Sequence, residues 1–600
     1  MLWQAQNGPV DAITGDYLAE MNLAQNAEKY AASTHPGWVE TALEGIRLTL
    51  DLINEKRIKV VLNGGGLNPK GLALEVQRMI REKGYDLTVA YVYGDDLLPR
   101  INEILDPKKG LPGHLDHEND SVKLAKDTGN FLGDPTKSIV SANAYLGSRA
   151  IAVGLSQGAD IILCGRVSDA SPVIGLARWW HGWSETDFDE LAGSLIAGHL
   201  IECSAYATGA NFSGFEAYPN EALINIGLPV VEIHHDGECV LTKHEALNGF
   251  VTEDTARSQL LYEIQGCIYL NSDVKADLSA VSIEEIGKNR VHVSGVKGGP
   301  PPSTTKFAIF YKGGYQCEFL QSATGTCASI KKKYELVELQ IKDRLTKQGK
   351  LDDFDLLEFQ HIGVPEENPS SQLAGTTQIR IFAQAQQQAT LYLLLKALMW
   401  HGMQHFSGAH GSMDYRTALP LPYLVYYPAV LEQSVLDEGV CVLGKECTAD
   451  NFQGVSHSAG HNSVTEPLGK RVSYEPRNPV PLSSFGETRA LPLGTLVQGR
   501  SGDKGANVNL GLFVQTDDEW DWLRSLTTSN QMKKLMGLDW KDDYVLERIE
   551  LPNIKAVHFV VYGPLHRGIS STPLLDGLGK GFADYIRSKY VDVPVKFLKK

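Results

Sequence analysis

Several loop segments carry residues whose types and spacing could do chemistry. Glu202-Cys203 leads into Ala207-Thr208-Gly209-Ala210-Asn211-Phe212-Ser213-Gly214. A carboxylate beside a thiol offers a general base or a nucleophile, and a following loop of small and amide residues offers oxyanion donors. The plain alternative is a buried cysteine beside a capping glutamate, because a lone cysteine is usually inert packing. In Gly165-Arg166-Val167-Ser168-Asp169-Ala170-Ser171, Arg166 either clamps a carboxylate or phosphate bidentately or braces the turn against Asp169. Glu202, Cys203 and Asp169 are therefore the candidate catalytic groups.

Candidate binding groups sit in similar places. Arg500-Ser501-Gly502-Asp503-Lys504-Gly505 packs two cations, an anion and two glycines into six residues at the end of an expected strand. A surface turn explains the glycines and leaves Arg500 and Lys504 unexplained, whereas an anion-holding loop explains them all. His566, in Gly563-Pro564-Leu565-His566-Arg567-Gly568, is placed alike. Asn63-Gly64-Gly65-Gly66-Leu67-Asn68-Pro69-Lys70-Gly71 is a strand-to-helix loop. Its glycines permit close backbone approach, Pro69 suits a first helical turn, and a helix N-terminus attracts anions. The alternative is a tight turn with Asn68 as the cap. Pro69 stands where the last glycine of a dinucleotide fingerprint belongs, so that cofactor is not expected. Asp95 and Asp96 end another strand. With Asn63, Gly64, Gly65, Gly66, Asn68, Arg166, Asn211, Arg500, Ser501, Asp503, Lys504 and His566 they make up the candidate substrate-binding set.

Other matches fail on context. Gly154-Leu155-Ser156-Gln157-Gly158 fits a nucleophile elbow but lies between a helix and a strand, the wrong order. His401 and His405 have helical i,i+4 spacing without the glutamate of a zinc-protease helix, and His457 and His461 sit in a Gly/Ser-rich loop. His114-Leu115-Asp116-His117 reads as a polar loop. No metal and no cofactor are expected.

The elements that must position these residues follow from hydrophobic patterning. Short apolar runs at 58–62, 87–92 and 160–164 alternate with helical patterns at 38–56, 69–83 and 143–157. Near-continuous apolar strands separated by helices imply a parallel sheet covered on both faces, a Rossmann-like α/β core. Ligands in such sheets bind beyond the carboxyl ends of the strands, where Asn63, Asp95 and Arg166 fall. From about 225 to 320 the texture turns β-rich, with strands at 291–294 and 307–311 flanking Gly298-Gly299-Pro300-Pro301-Pro302. A strand at 377–382 precedes an apolar helix at 389–400. Residues 443–488, rich in Gly, Ser, Asn and Pro, read as a linker between a core over 1–442 and a small α+β module over 489–600. That module's expected strands are Gly494–Gln498, Asn507–Val514 and Ala556–Tyr562, with helices near 517–536 and 574–588.

Composition narrows the partners. A chain of 600 residues exceeds one hydrophobic core, and 43% hydrophobic with 21% charged residues excludes wholesale disorder. The net charge of −16 repels phosphate backbones, so nucleic acid is not expected as a partner. Eight cysteines without a CxxC pair suit a reducing compartment. No apolar run reaches the roughly 20 residues of a membrane helix, and the N-terminal residues carry no targeting signature. A cytoplasmic protein without membrane partners, and a homo-oligomer from its size, are the expectations.

Taken in order, Ile13-Thr14-Gly15-Asp16-Tyr17-Leu18-Ala19-Glu20, the 63–71 loop, Gly94-Asp95-Asp96, Asn143-Ala144-Tyr145-Leu146-Gly147, 164–171 and 198–214 resemble the core of the acyclic terpene utilisation (AtuA-like) family. Arg500–Gly505 with Asn507-Val508-Asn509-Leu510-Gly511 resembles the ferredoxin-fold domain appended in relatives. The resemblance covers nearly the whole chain. Relatives usually open with a further strand and a Gly-containing loop before Thr14-Gly15-Asp16, and Met1 falls roughly where that strand would end. The resemblance implies a lyase on an acyl thioester or branched carboxylic acid, of the C–C or hydro-lyase type. A thiol- or carboxylate-dependent hydrolase and a non-catalytic acyl-CoA-binding subunit of a carboxylase complex are the alternatives.

Overall fold

The computed structural model describes every residue except 19, 107–111, 125–127, 135–136, 413 and 599–600. The strands Ala12–Gly15, Lys59–Leu62, Ile161–Leu163 and Val89–Tyr93 pair side by side in that order, all parallel. Their apolar side chains are buried on both faces: Val60, Val61, Leu62, Ile161, Ile162 and Leu163 have no exposed surface. The covering helices start and stop where the sequence signals. Pro69–Lys83 has Asn68 as its cap, with Oδ1 accepting from Gly71 N at 2.9 Å, and ends on Gly84 at φ 68°.

The sheet is completed antiparallel, by Gly439–Leu443 on Val89–Tyr93 and Gly454–Ser458 beyond it. The segment 443–488 is thus not only a linker: every other residue of Gly454–Ser458 gains a ladder bond that its polar composition hides. Elsewhere the sheets are mostly antiparallel. The long strand Thr304–Thr324 carries Thr376–Ala385, Leu421–Glu432 and Ile139–Ala144 as antiparallel neighbours, and Cys327–Lys347 and Gln388–His401 share a buried apolar cluster with it. Residues 143–157, expected as one helix, divide instead into the end of the strand Ile139–Ala144 and the helix Arg149–Ser156. The apolar period alone did not separate them.

The helix Phe188–Glu202 is buried from Leu191 to Leu200 without a polar face, which places it inside the molecule. Glu253–Glu263, opened by a Thr252/Thr255 capping box, shares its apolar cluster.

The C-terminal module is a four-stranded antiparallel sheet in the order Gln498–Lys504, Asn507–Phe513, Ala556–Tyr562, Val545–Leu551. Asp517–Leu526, Ser529–Met536 and Phe582–Arg587 cover it. Two boundaries differ from expectation. Gly494 lies in a short 3-10 turn and the strand begins at Gln498, so Arg500–Lys504 is strand and the turn is only Gly505-Ala506. The last helix is confined to Phe582–Arg587, because the glycines at 577, 579 and 581 break the segment ahead of it.

Candidate functional site

The helix Phe188–Glu202 delivers two polar groups at its end, His199 and Glu202, one turn apart. Glu263, the last residue of Glu253–Glu263, faces them: His199 Nδ1 lies 3.0 Å from Glu202 Oε2 and 4.0 Å from Glu263 Oε2. Asp16 arrives from the end of the edge strand Ala12–Gly15 and Asp169 from the turn after Ile161–Leu163. Ligating atoms of Asp16, Asp169 and Glu202 fall within 4.8 Å of one another, as do those of His199, Glu202 and Glu263. Glu202 belongs to both groups. The carboxyl ends of the parallel strands and the end of an internal helix therefore meet at one point.

Fixed neighbours orient the cluster. Asn63 Nδ2 donates to Asp16 Oδ1 at 2.6 Å while its Oδ1 accepts from Tyr17 N at 2.6 Å. Arg166, buried and lying 4.0 Å over the Tyr145 ring, donates to Asp169 Oδ1 at 2.8 Å and to Leu18 O. Glu263 Oε1 accepts from Gln259 Nε2 at 2.9 Å and from Cys203 Sγ at 3.3 Å. His199 packs edge-on to Tyr269, ring centres 4.4 Å apart.

Burial first, then the charges of Glu263, Asp169 and Asp16, drive the Glu202 carboxyl well above its usual range. Burial and Asp169 raise Asp16 as well, against the pull of Arg166 and Asn63. Asp16 nonetheless opens to solvent through the cleft. Burial depresses His199, leaving a neutral imidazole. Burial, with Glu263 and Glu202 beside it, pushes the Cys203 thiol far up, which removes the thiolate a nucleophile needs.

A cleft of about 490 Å³ opens onto this cluster, with Asp16 and Glu202 in its lining. Its walls include Ile13, Val173, Trp179, Ile201, Leu228 and Val231, an apolar enclosure with carboxylates at one end.

On the other side of Glu263 the C-terminal module supplies cations. Lys504 Nζ stands 3.6 Å from Glu263 Oε2. Arg500, 4% exposed, lies between the rings of Tyr206 and Tyr262 at 4.3 and 4.5 Å and donates to Asn211 O. Its Nε and Nη2 make no hydrogen bond among the described residues. Lys580 Nζ donates to Tyr206 Oη at 2.7 Å. Burial pushes the Tyr206 phenol up, but that bond, Asn211 and the two positive charges outweigh it and leave it low.

The structure thus gathers Glu202, Cys203, Asp169, Asn63, Arg166, Asn211, Arg500 and Lys504 around one region and gives the other candidates structural work. Gly65 N donates to Cys164 O, and a side chain on Gly64 would meet Ala42 Cβ at 2.4 Å, so that loop is packed against protein. Asn68 caps its helix. Asp95, buried, accepts from Arg166 N and Asn143 Nδ2, and burial raises its carboxyl to about 6. Asp96 caps Leu98 N, and Ser501 ties Gly579 O to Ala583 N. Asp503 lines a small separate hollow with Phe310 and Tyr426, and His566 occupies a left-handed turn at φ 58°. Asp16, His199, Glu263, Tyr206, Tyr262 and Lys580 were missed. The available signal was His199 and Glu202 three apart at the end of a helix whose residues 191–201 are otherwise apolar except for Ser194.

The family described as Acyclic terpene utilisation family protein AtuA matches residues 1–442, and the AtuA ferredoxin-like domain matches 491–592. No curated protein and no solved structure matches. Among the described residues, no helix is long and apolar enough to cross a membrane.

Proposed function

The chain belongs to the acyclic terpene utilisation family AtuA, and from that premise we propose that it is an enzyme that moves a proton at the carbon beside a carbonyl of an acyl thioester or branched carboxylic acid, as a C–C lyase or hydro-lyase does. The observation that carries this reading is the meeting of Asp16, Asp169 and Glu202 at the end of an apolar cleft. Asp16 and Glu202, the members of that trio that line the cleft, are the groups within reach of a bound substrate, and Asp169 is held behind them by Arg166. Moving a proton α to a carbonyl needs a positioned base and a donor or cation for the oxygen that gains charge. The apolar walls suit a branched hydrocarbon tail. We read the four parallel strands as a Rossmann-like core whose strand ends hold the site. Localisation to the cytoplasm and assembly into a homo-oligomer belong to the same proposal.

The raised Cys203 thiol and its bond to Glu263 favour this reading over a thiol hydrolase. Incubating the protein with short and branched acyl-CoAs and the matching acids in D₂O tests it, by mass spectrometry of the recovered compound. Deuterium should enter next to the carbonyl of at least one of them, and Glu202→Gln should slow that entry by about 10²-fold or more. No deuterium in any compound, with acyl-CoAs still raising the melting temperature, would leave the non-catalytic acyl-CoA-binding subunit as the better reading.

A further inference from the structure

We propose that His199, Glu202 and Glu263 hold a divalent first-row transition cation at the inner end of the cleft. This rests on the enzymatic reading only for its location, since Glu202 both lines the cleft and would ligate the ion.

Carboxyl groups crowd around Glu202. Four carboxylates converge there, Asp16, Asp169, Glu202 and Glu263. Arg166 is bonded to Asp169, and Lys504 stands 3.6 Å from Glu263. No lysine or arginine ion pair reaches Glu202 among the described residues, and its one close partner is His199. Buried carboxylates are stable when paired, hydrogen-bonded or bound to a metal, and costly otherwise.

The second observation is the imidazole. His199 is 1% exposed, and neither ring nitrogen makes a hydrogen bond. Nδ1 sits 3.0 Å from Glu202 Oε2, close enough for an ion pair, but the angles do not make a hydrogen bond, and Glu202 Oε2 is unsatisfied too. A buried histidine whose Nδ1 stands within 4.0 Å of two carboxyl groups and hydrogen-bonds to neither is arranged as a ligand. The three donor atoms already lie within 4.8 Å of one another, so metal–ligand distances near 2.1 Å require only small side-chain rotations. Neighbours fix Glu263 from behind: Gln259 and Cys203 hold its Oε1, and its Oε2, 3.6 Å from Lys504 Nζ, faces His199. One imidazole and two carboxylates select Mn²⁺, Fe²⁺ or Zn²⁺ over Ca²⁺ and Mg²⁺, which prefer all-oxygen sites.

The test uses the full chain, stripped with a chelator and titrated with Mn²⁺ while the signal of the free ion is followed by electron paramagnetic resonance. Wild type should take up one Mn²⁺ per chain, and pulsed measurement should show nitrogen bonded directly to it. Glu202→Gln and Glu263→Gln should each weaken binding by about 10-fold or more, the range for disturbing a metal's ligand set. His199→Asn should remove the nitrogen coupling; should that variant not fold, the coupling in wild type decides the matter. An unchanged free-ion signal in wild type, or bound Mn²⁺ without nitrogen coupling, overturns the inference. Deuterium exchange without metal binding would sink this inference and leave the enzyme standing. Mn²⁺ bound with nitrogen but no exchange in any compound would do the reverse.

Discussion

Asn509 holds the helix that carries Glu263. Its Nδ2 lies 3.1, 2.7 and 2.8 Å from the carbonyls of Leu261, Tyr262 and Ile264, two hydrogens shared among three acceptors at the helix end. Gly511, two residues on in the same strand, lets that strand approach: a Cβ there would stand 2.5 Å from Leu261 Cβ. The C-terminal domain therefore both seats Glu263 and supplies Lys504 and Arg500, and the site is complete only where the two domains touch.

Asn509→Ala should accordingly cost about 1–3 kcal/mol in urea unfolding, because it leaves carbonyls buried without a donor. Gly511→Val should act more through geometry, pushing the strand from Leu261 and separating Lys504 from Glu263. Both should lower deuterium exchange by about 10-fold or more while the rest of the fold is kept. Exchange at wild-type rate in a folded Gly511→Val protein would show that the C-terminal domain does not shape the site.

Much of this arrangement was legible in the residues. The strands ending at Leu62, Tyr93 and Leu163 were plain from their apolar runs, and Asn68 and Pro69 announced a helix start. Arg166 with Asp169 was readable as a brace, and a brace is what it is, though one that serves the site. What was not legible depends on contacts across long stretches of chain. Nothing near Asn509 indicates that it meets Ile264, 245 residues away. Nor does Asp16 show locally that it will face Glu202, since the edge strand and the internal helix are joined only by the fold. In the Gly64–Gly66 loop, glycines packed closely against protein look in sequence like glycines that admit a ligand.

Asn63 positions Asp16 without touching the cleft. Asn63→Ala should lower the exchange rate at saturation by about 10-fold and change the half-saturating concentration little, since substrate contacts remain. Asn63→Asp adds a negative charge beside Asp16 and should move the exchange profile to higher pH. A profile unmoved by Asn63→Asp would mean that Asp16 does not carry the proton.

Cys203 should behave as a buried, protonated thiol. Its pKa lies far above normal and its hydrogen is given to Glu263, so iodoacetamide at neutral pH should label exposed Cys327 well before it. Cys203→Ser, which keeps a donor to Glu263, should retain exchange within about 3-fold, below the loss expected for a removed base. Rapid, ligand-protected labelling of Cys203 would revive the thiol hydrolase.

Glu118 makes stability fall with pH. Burial raises its carboxyl to about 7, only partly offset by Arg471, and its Oε2 is buried without a hydrogen-bond partner. A carboxyl whose folded pKa exceeds its unfolded one favours the folded state while protonated. That contribution is whole below the unfolded pKa near 4.5 and is lost as pH rises through 7. Glu118→Gln should therefore melt higher than wild type at pH 8, and the difference should vanish by pH 5. Equal melting temperatures at both pH values would show that Glu118 titrates normally.

Arg548 anchors the C-terminal domain from within. It is fully buried, donating to Thr527 O at 2.8 Å, Arg524 O at 3.0 Å, Tyr474 O at 3.2 Å and Glu550 Oε1 at 2.8 Å. Replacing it with methionine keeps much of the volume but strands the Glu550 carboxylate and three carbonyls in the interior. Breaking a buried pair on one side costs about 3–5 kcal/mol, so Arg548→Met should unfold this domain at markedly lower urea. Arg548→Met with Glu550→Leu should recover part of that loss, because the uncompensated charge is gone while the carbonyls stay unpaired. A double variant no more stable than the single one would assign the damage to the carbonyls alone. Because Lys504, Arg500 and Asn509 all come from this domain, the single variant should also lose exchange at temperatures where the core still melts as wild type does.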